Sequence, residues 1–137
     1  MNRTAIVASL FSAATLLAVA AASASDVPHK APPMRVGTCA LTRVKLVGTR
    51  LVDGSTNRPV PGSGSAVEFR NGLGQVSYEQ VPAVDHSRAG DPVYVCLMKL
   101  PRNCPPGDNR GKLYTTTNLR TLESWTLPDA EHMCGGA

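Results

Sequence analysis

Asp85-His86-Ser87 sets a carboxylate, an imidazole and a hydroxyl in three consecutive residues, the side-chain types of acyl-transfer catalysis. Neighbouring residues point in different directions, and working triads are assembled from distant parts of a chain, so this run reads as a solvent-exposed helical turn. Asp129-Ala130-Glu131-His132 offers two carboxylates and an imidazole to a cation; the plainer reading is a polar tail positioned by Cys134. The cysteines and His86 or His132 show no C-x-x-C or H-x-x-x-H spacing, so no metal ligand is assigned and no cofactor is called for. The most distinctive loop is Pro105-Pro106-Gly107-Asp108-Asn109-Arg110-Gly111. Two prolines and a cystine at Cys104 would hold Asp108 and Arg110 in a fixed, exposed pose suited to binding; alternatively they are turn residues that pair with each other. Trp125, the sole tryptophan, is the third binding candidate, although a Trp alternating with Leu127 is more often core. Arg43, Lys45 and Arg50 make either a cationic edge or the charged outer face of a sheet. None of these groups composes a catalytic centre, and the chain is expected not to be an enzyme.

The elements that must position these residues occupy a short chain. It has 137 residues, and all 12 glycines, all 11 prolines and all 4 cysteines lie beyond Ala24. That distribution excludes a coiled coil, a helical bundle, a multi-domain enzyme and a polytopic membrane protein. Arg3, the Ala/Leu/Val-rich stretch Ala5 to Ala22 and the small-x-small site Ala22-Ser23-Ala24 read as a signal peptide over 1–24. The mature protein is then periplasmic or secreted, with no membrane span. The formal charge of +4 becomes +3 without Arg3, its charges are interspersed, and dedicated nucleic-acid binding is not indicated.

Four cysteines in an exported chain of this size predict two disulfides. Three pairings are possible. A strand end folding back through Pro101 would join Cys96 to Cys104, which leaves Cys39 with Cys134. The latter would close a loop of about 95 residues, worth on the order of 4–5 kcal/mol in the chain-entropy model.

Residues 25–38 read as a Pro-rich, disordered tether, and 39–137 as one disulfide-stapled β domain. Thr42 to Val47 alternates with Val44 and Leu46 on one side, and a break follows at Gly48 that would suit a bulge. Asp53 to Gly64 is a loop by composition. Ala66 to Arg70, a turn at Asn71-Gly72-Leu73-Gly74 and a return strand with Val76 and Tyr78 inward form a hairpin. Pro82 to Gly90 holds one or two helical turns. Val93 to Leu100, apolar on both faces apart from Lys99, reads as a central strand covered on both sides. Strands from Leu113 and from Leu122 complete the set. The sum is all-β: a small curled antiparallel sheet or barrel, OB-like, with one short helical turn between the third and fourth strands.

Gly90-Asp91-Pro92-Val93 leading to Cys96-Leu97, Cys104-Pro105-Pro106-Gly107-Asp108 with Arg110-Gly111, and the ending His132-Met133-Cys134-Gly135-Gly136-Ala137 carry a resemblance. Over residues 39–137 the chain resembles a group of small exported proteobacterial proteins with a four-cysteine pattern, an H-x-C-G-G-A ending and no assigned activity; Asp53 to Pro61 is a longer loop here. The resemblance implies export and the four-cysteine framework, and it carries no mechanism. The expectation for function is therefore a monomeric, non-enzymatic module binding a protein or cell-envelope component through the Cys104–Gly111 and Asp53–Gly64 loops. Lysozyme-inhibitor-like activity is one concrete version, by analogy of architecture alone. A small hydrolytic or metal-dependent envelope enzyme and a structural envelope protein are the alternatives.

Overall fold

The computed structural model describes residues 30–136, so the expected signal peptide and the first part of the tether lie outside the described residues. Six strands and one helical turn follow in order: β1 (Cys39–Thr49), β2 (Ser65–Phe69), β3 (Gly74–Val76), α1 (Pro82–Asp85), β4 (Pro92–Lys99), β5 (Leu113–Asn118) and β6 (Ser124–Pro128). All six lie in one antiparallel sheet of order β3-β2-β1-β4-β5-β6, curled into a half-barrel that brings its edge strands β3 and β6 together. This is the all-β architecture expected, with the helical turn between the third and fourth strands and β4 returning to the side of β1. Among the described residues no helix is long and apolar enough to cross a membrane.

Alternation builds the inner face. Val67 and Phe69 of β2, Val93, Val95 and Leu97 of β4, Tyr114 of β5 and Trp125 of β6 are buried in a single cluster. Each such side chain stabilises the fold by roughly 1.5–3 kcal/mol relative to exposure. Helical turn α1 plugs one end of the curl with fully buried Val84. Pro82 opens it at a position where no amide donor is missed, and the Val81 N–H donates to Ser65 Oγ at 2.9 Å. The β2–β3 turn forms because Gly72 accepts a φ of 86° and Asn71 Oδ1 accepts from the Leu73 N–H. At Gly64 (φ 105°) the chain crosses so close to Ser77 that a Cβ would lie 2.0 Å from its carbonyl oxygen, so only glycine fits.

Four expectations about the strands and the tether are corrected. In β1, Val44 opposes Phe69 and Leu46 opposes Glu68, so the bulge falls at Lys45 and not at Gly48, which pairs in register with Ala66. The extra residue turns Leu46 outward, 56% exposed, and Val47 takes the inner place. In β3 the inward residue is Gln75, while Tyr78 is 52% exposed. The reason is polar: Gln75 Nε2 donates to the carbonyls of Tyr114 (2.8 Å) and Leu127 (3.0 Å), and its Oε1 accepts from Thr116 Oγ1 (2.6 Å) and Trp125 Nε1 (2.9 Å). Strand β4 is central but covered on one face only, because among the described residues no second layer packs on the outside of the sheet; Tyr94 and Met98 stay exposed. Residues 30–38 are not a free tether. The Tyr114 hydroxyl, buried in the core, donates to the Pro33 carbonyl at 3.0 Å, Asn71 Nδ2 donates to that of Lys30 at 3.1 Å, and the Gly37 N–H donates to Leu97 at 2.9 Å.

The disulfides join all four cysteines, paired Cys39–Cys96 and Cys104–Cys134 rather than Cys39–Cys134 and Cys96–Cys104. Cys96 sits inside β4, which runs extended as far as Lys99 and so does not fold back toward Cys104. Its cross-strand neighbour on β1 is Cys39, and the two meet on the outer face. Cys134 follows β6 past the loop after β4, where its N–H donates to the Arg110 carbonyl and its sulfur meets Cys104.

Candidate functional site

The structure scatters the residues that could have shared a chemistry. Asp85 Oδ1 accepts from Ser65 Oγ (2.7 Å), His86 Nδ1 lies 3.1 Å from Glu123 Oε1, and Ser87 Oγ donates to the Ala83 carbonyl (3.0 Å). Three neighbours thus face three partners. In the tail, Asp129 Oδ1 accepts the N–H groups of Gly111 (2.7 Å) and Lys112 (2.9 Å), while Glu131 reaches Arg50 at 3.4 Å. The carboxylates diverge, and among the described residues no cluster of three metal-ligating side chains forms.

Of the three binding candidates, two pair with each other. Arg110 Nε and Nη2 donate to the two carboxylate oxygens of Asp108 at 3.0 and 2.8 Å, and the Gly135 N–H adds a bond to Asp108 at 3.0 Å. The Arg110 side chain, followed by the Gly135 and Arg110 amides, holds the Asp108 carboxyl well below the usual carboxylate range. The pair latches the C-terminal tail onto the loop. Trp125 is 5% exposed and bonded to Gln75, so it belongs to the core and not to a contact surface. The basic residues of the supposed cationic edge are likewise engaged: Lys45 with Glu68 (2.9 Å), Arg43 with the Gly90 carbonyl (2.8 Å) and Arg50 over the Tyr78 ring, 4.2 Å from its centroid.

Sequence reasoning missed the most organised charge cluster. Asp91, 6% exposed, accepts from the Arg88 N–H (2.9 Å), Asn118 Nδ2 (2.8 Å) and the Arg120 side chain (2.6 and 2.9 Å). Asn118 in turn organises the β5–β6 turn through the Arg120 N–H at 2.8 Å. Hydrogen bonding from Arg120 leads the causes that lower the Asp91 carboxyl to about 2, against the opposing effect of burial. Every oxygen is satisfied from within, so the cluster is a fastening and not a vacant receptor. A depressed folded-state pKa contributes stability above the unfolded value and loses it as the pH falls through the folded one. Acid titration of unfolding should therefore show a loss of about 2 kcal/mol between roughly pH 4 and pH 2, a slope that Asp91→Asn flattens while lowering stability at pH 7.

What remains open is a cleft. Beyond Thr49 the chain folds into a small hairpin: Val52 bridges Pro59, the Asp53 N–H donates to Arg58 (2.8 Å), and Asp53 Oδ1 takes backbone and hydroxyl bonds from Ser55 and Thr56 at 2.7–3.0 Å. Those hydroxyls and amides, Ser55 Oγ foremost, hold the Asp53 carboxyl well below its ordinary range. The hairpin stands beside the outer face of the β1–β2 ribbon and encloses a cleft of about 550 Å³ walled by Leu46, Val52 and Pro59. Its floor is low because two small residues, Gly48 and Ala66, oppose each other there; a Cβ on Gly48 would meet nothing within 4 Å. No family model, curated protein or solved structure matches this chain. The geometry is therefore the guide, and it contrasts two hollows. The one beside Pro106–Arg110, about 570 Å³, is lined by charges already paired with one another. The cleft at the hairpin is concave, of the size that ligand sites take and mostly apolar, with Arg50, Asn57 and Glu68 also in its lining.

Proposed function

We propose that this chain is an exported, non-enzymatic binding module whose partner, a protein or cell-envelope component, seats at the cleft between the Val52–Pro59 hairpin and the β1–β2 ribbon. One observation carries the reading: the apolar cleft is open to a partner, while the side chains that catalysis would need are tied pairwise to structural partners. Export is supported by the two disulfides, which an oxidising compartment favours, and by the leader-like composition of residues 1–24.

Gly48→Trp is the test, because it fills the cleft at a position with open space and no positive φ. Cross-linking in native periplasm should yield a discrete product with the natural chain that Gly48→Trp abolishes, with the fold checked by an unchanged Tm. The same product from both proteins would move the contact elsewhere, and no product from either would remove the binding reading. The inhibitor-like version, which the latched Cys104–Gly111 loop favours as a rigid, exposed element, is tested directly with a panel of lysozymes. No inhibition at micromolar protein eliminates it.

A further inference from the structure

Strand β1 changes partner along its length. Cys39 to Arg43 is laddered to β4, and Val44 is the last residue bonded on that side, through the Asp91 carbonyl and the Gly90 N–H. From Leu46 to Thr49 the ladder is with β2 alone. The Arg50 N–H donates to Gly64, and Ser65 turns its own N–H and C=O to Glu79 and Ser77, away from β1. Alternation then directs the main-chain groups of residues 46, 48 and 50 toward β2 and those of Val47 and Thr49 toward the opposite edge. Among the described residues no backbone hydrogen bond reaches Val47 or Thr49 on that edge.

Two hollows flank this edge, one on each face of the ribbon. Val47, Gly48, Thr49 and Pro59 line both: the apolar cleft on the outer face and a second hollow of about 380 Å³ that reaches Gln80 and Asp85. Asp85 is exposed and, among the described residues, gives only one oxygen to Ser65, so its carboxylate can receive a cation. A strand laid on a sheet edge bonds through its main chain and sends successive side chains to opposite faces. Free main-chain donors and acceptors in a row are complemented by another extended main chain, and the two hollows specify its side chains.

We infer that the Val47–Thr49 edge receives an extended segment of a partner protein by strand addition, with an apolar residue in the outer cleft and an adjacent lysine or arginine toward Asp85. This rests on the binding-module reading and names its partner as a polypeptide. The test is selection from a displayed library of random ten-residue peptides on the full mature chain, followed by synthesis of the selected peptides. Selected sequences should alternate apolar and basic residues, and their addition should slow exchange of the Val47 and Thr49 amide protons. Thr49→Pro, which removes an amide that β2 does not use, should weaken binding by about tenfold or more, and Asp85→Asn by a few-fold. N-methylation of alternate peptide residues should do the same with the protein unchanged, which keeps the test valid if Thr49→Pro does not fold. Selection of no binder, or binders indifferent to Thr49→Pro and to N-methylation, overturns the inference. So does a dimer that Thr49→Pro dissolves, which would give the edge to a second copy of this chain. A cross-linked product abolished by Gly48→Trp and untouched by Thr49→Pro would leave the binding module standing and strand addition refuted.

Discussion

Gln75→Leu should lower the free energy of unfolding by about 3–5 kcal/mol in urea denaturation, although it replaces a polar core residue with an apolar one. The amide joins three strands with four hydrogen bonds, to the carbonyls of Tyr114 and Leu127 and from Thr116 Oγ1 and Trp125 Nε1. Leucine would leave these buried groups without a partner, at roughly 1–3 kcal/mol for each one that water cannot reach. The position also closes the curl, since β3 and β6 approach each other without a mutual ladder. Gln75→Glu sharpens the test. Its carboxylate would face two carbonyl oxygens in a buried site, so its folded-state pKa lies above the ordinary glutamate value. Raised in this way, the group favours the fold while protonated and disfavours it as the pH climbs through the folded pKa. The variant should therefore gain stability on mild acidification, opposite in sign to the Asp91 effect. A Gln75→Leu protein within 1 kcal/mol of the natural chain would contradict this account.

The second large effect belongs to the cross-strand disulfide. Removing it by Cys39→Ala with Cys96→Ala should cost about 4 kcal/mol, since the bridge spans a sequence separation of 57 in a chain that must order many loops. The loss should show in guanidinium denaturation under oxidising conditions, where Cys104–Cys134 stays closed. Two terms favour a full-sized effect: the bridge links directly opposed residues, and it fastens the first part of β1 to the centre of the sheet. A loss below 1 kcal/mol would mean that backbone pairing alone holds β1 to β4.

How much of this was legible depended on whether the signal was local. Val67 and Phe69 alternate, Asn71-Gly72 supplies the turn residues, and Pro82 opens the helical turn; each is decided within a few residues, and each stands where expected. Gln75 was not legible because a glutamine in an alternating strand reads as an outward residue, and its four partners lie 39 to 52 positions away. The bulge at Lys45 has no glycine to mark it and is fixed by the register of β2. Strand order decides the disulfides: once β4 is known to lie beside β1, Cys39 faces Cys96, but nothing near either cysteine says so. The candidate cleft was legible in part. Asp53 to Gly64 stood out as a long loop, whereas the Gly48–Ala66 floor emerges only when two strands are set side by side.

The corrected disulfide pairing has a consequence for resistance to proteases. The two covalent loops, 39–96 and 104–134, lie one after the other without overlapping. A protease cutting the chain at Arg50 or Arg88 leaves both pieces bonded through Cys39–Cys96, and a cut at Arg110 or Arg120 leaves them bonded through Cys104–Cys134. Between Cys39 and Cys134, only the stretch from Leu97 to Asn103 is spanned by neither bridge. It carries Lys99 and Arg102, both exposed, so one cut there by a trypsin-like enzyme leaves the β5–β6 portion with its tail joined to the rest by the β4–β5 ladder and no covalent bond. Under the nested pairing, every one of these cuts would have been covered.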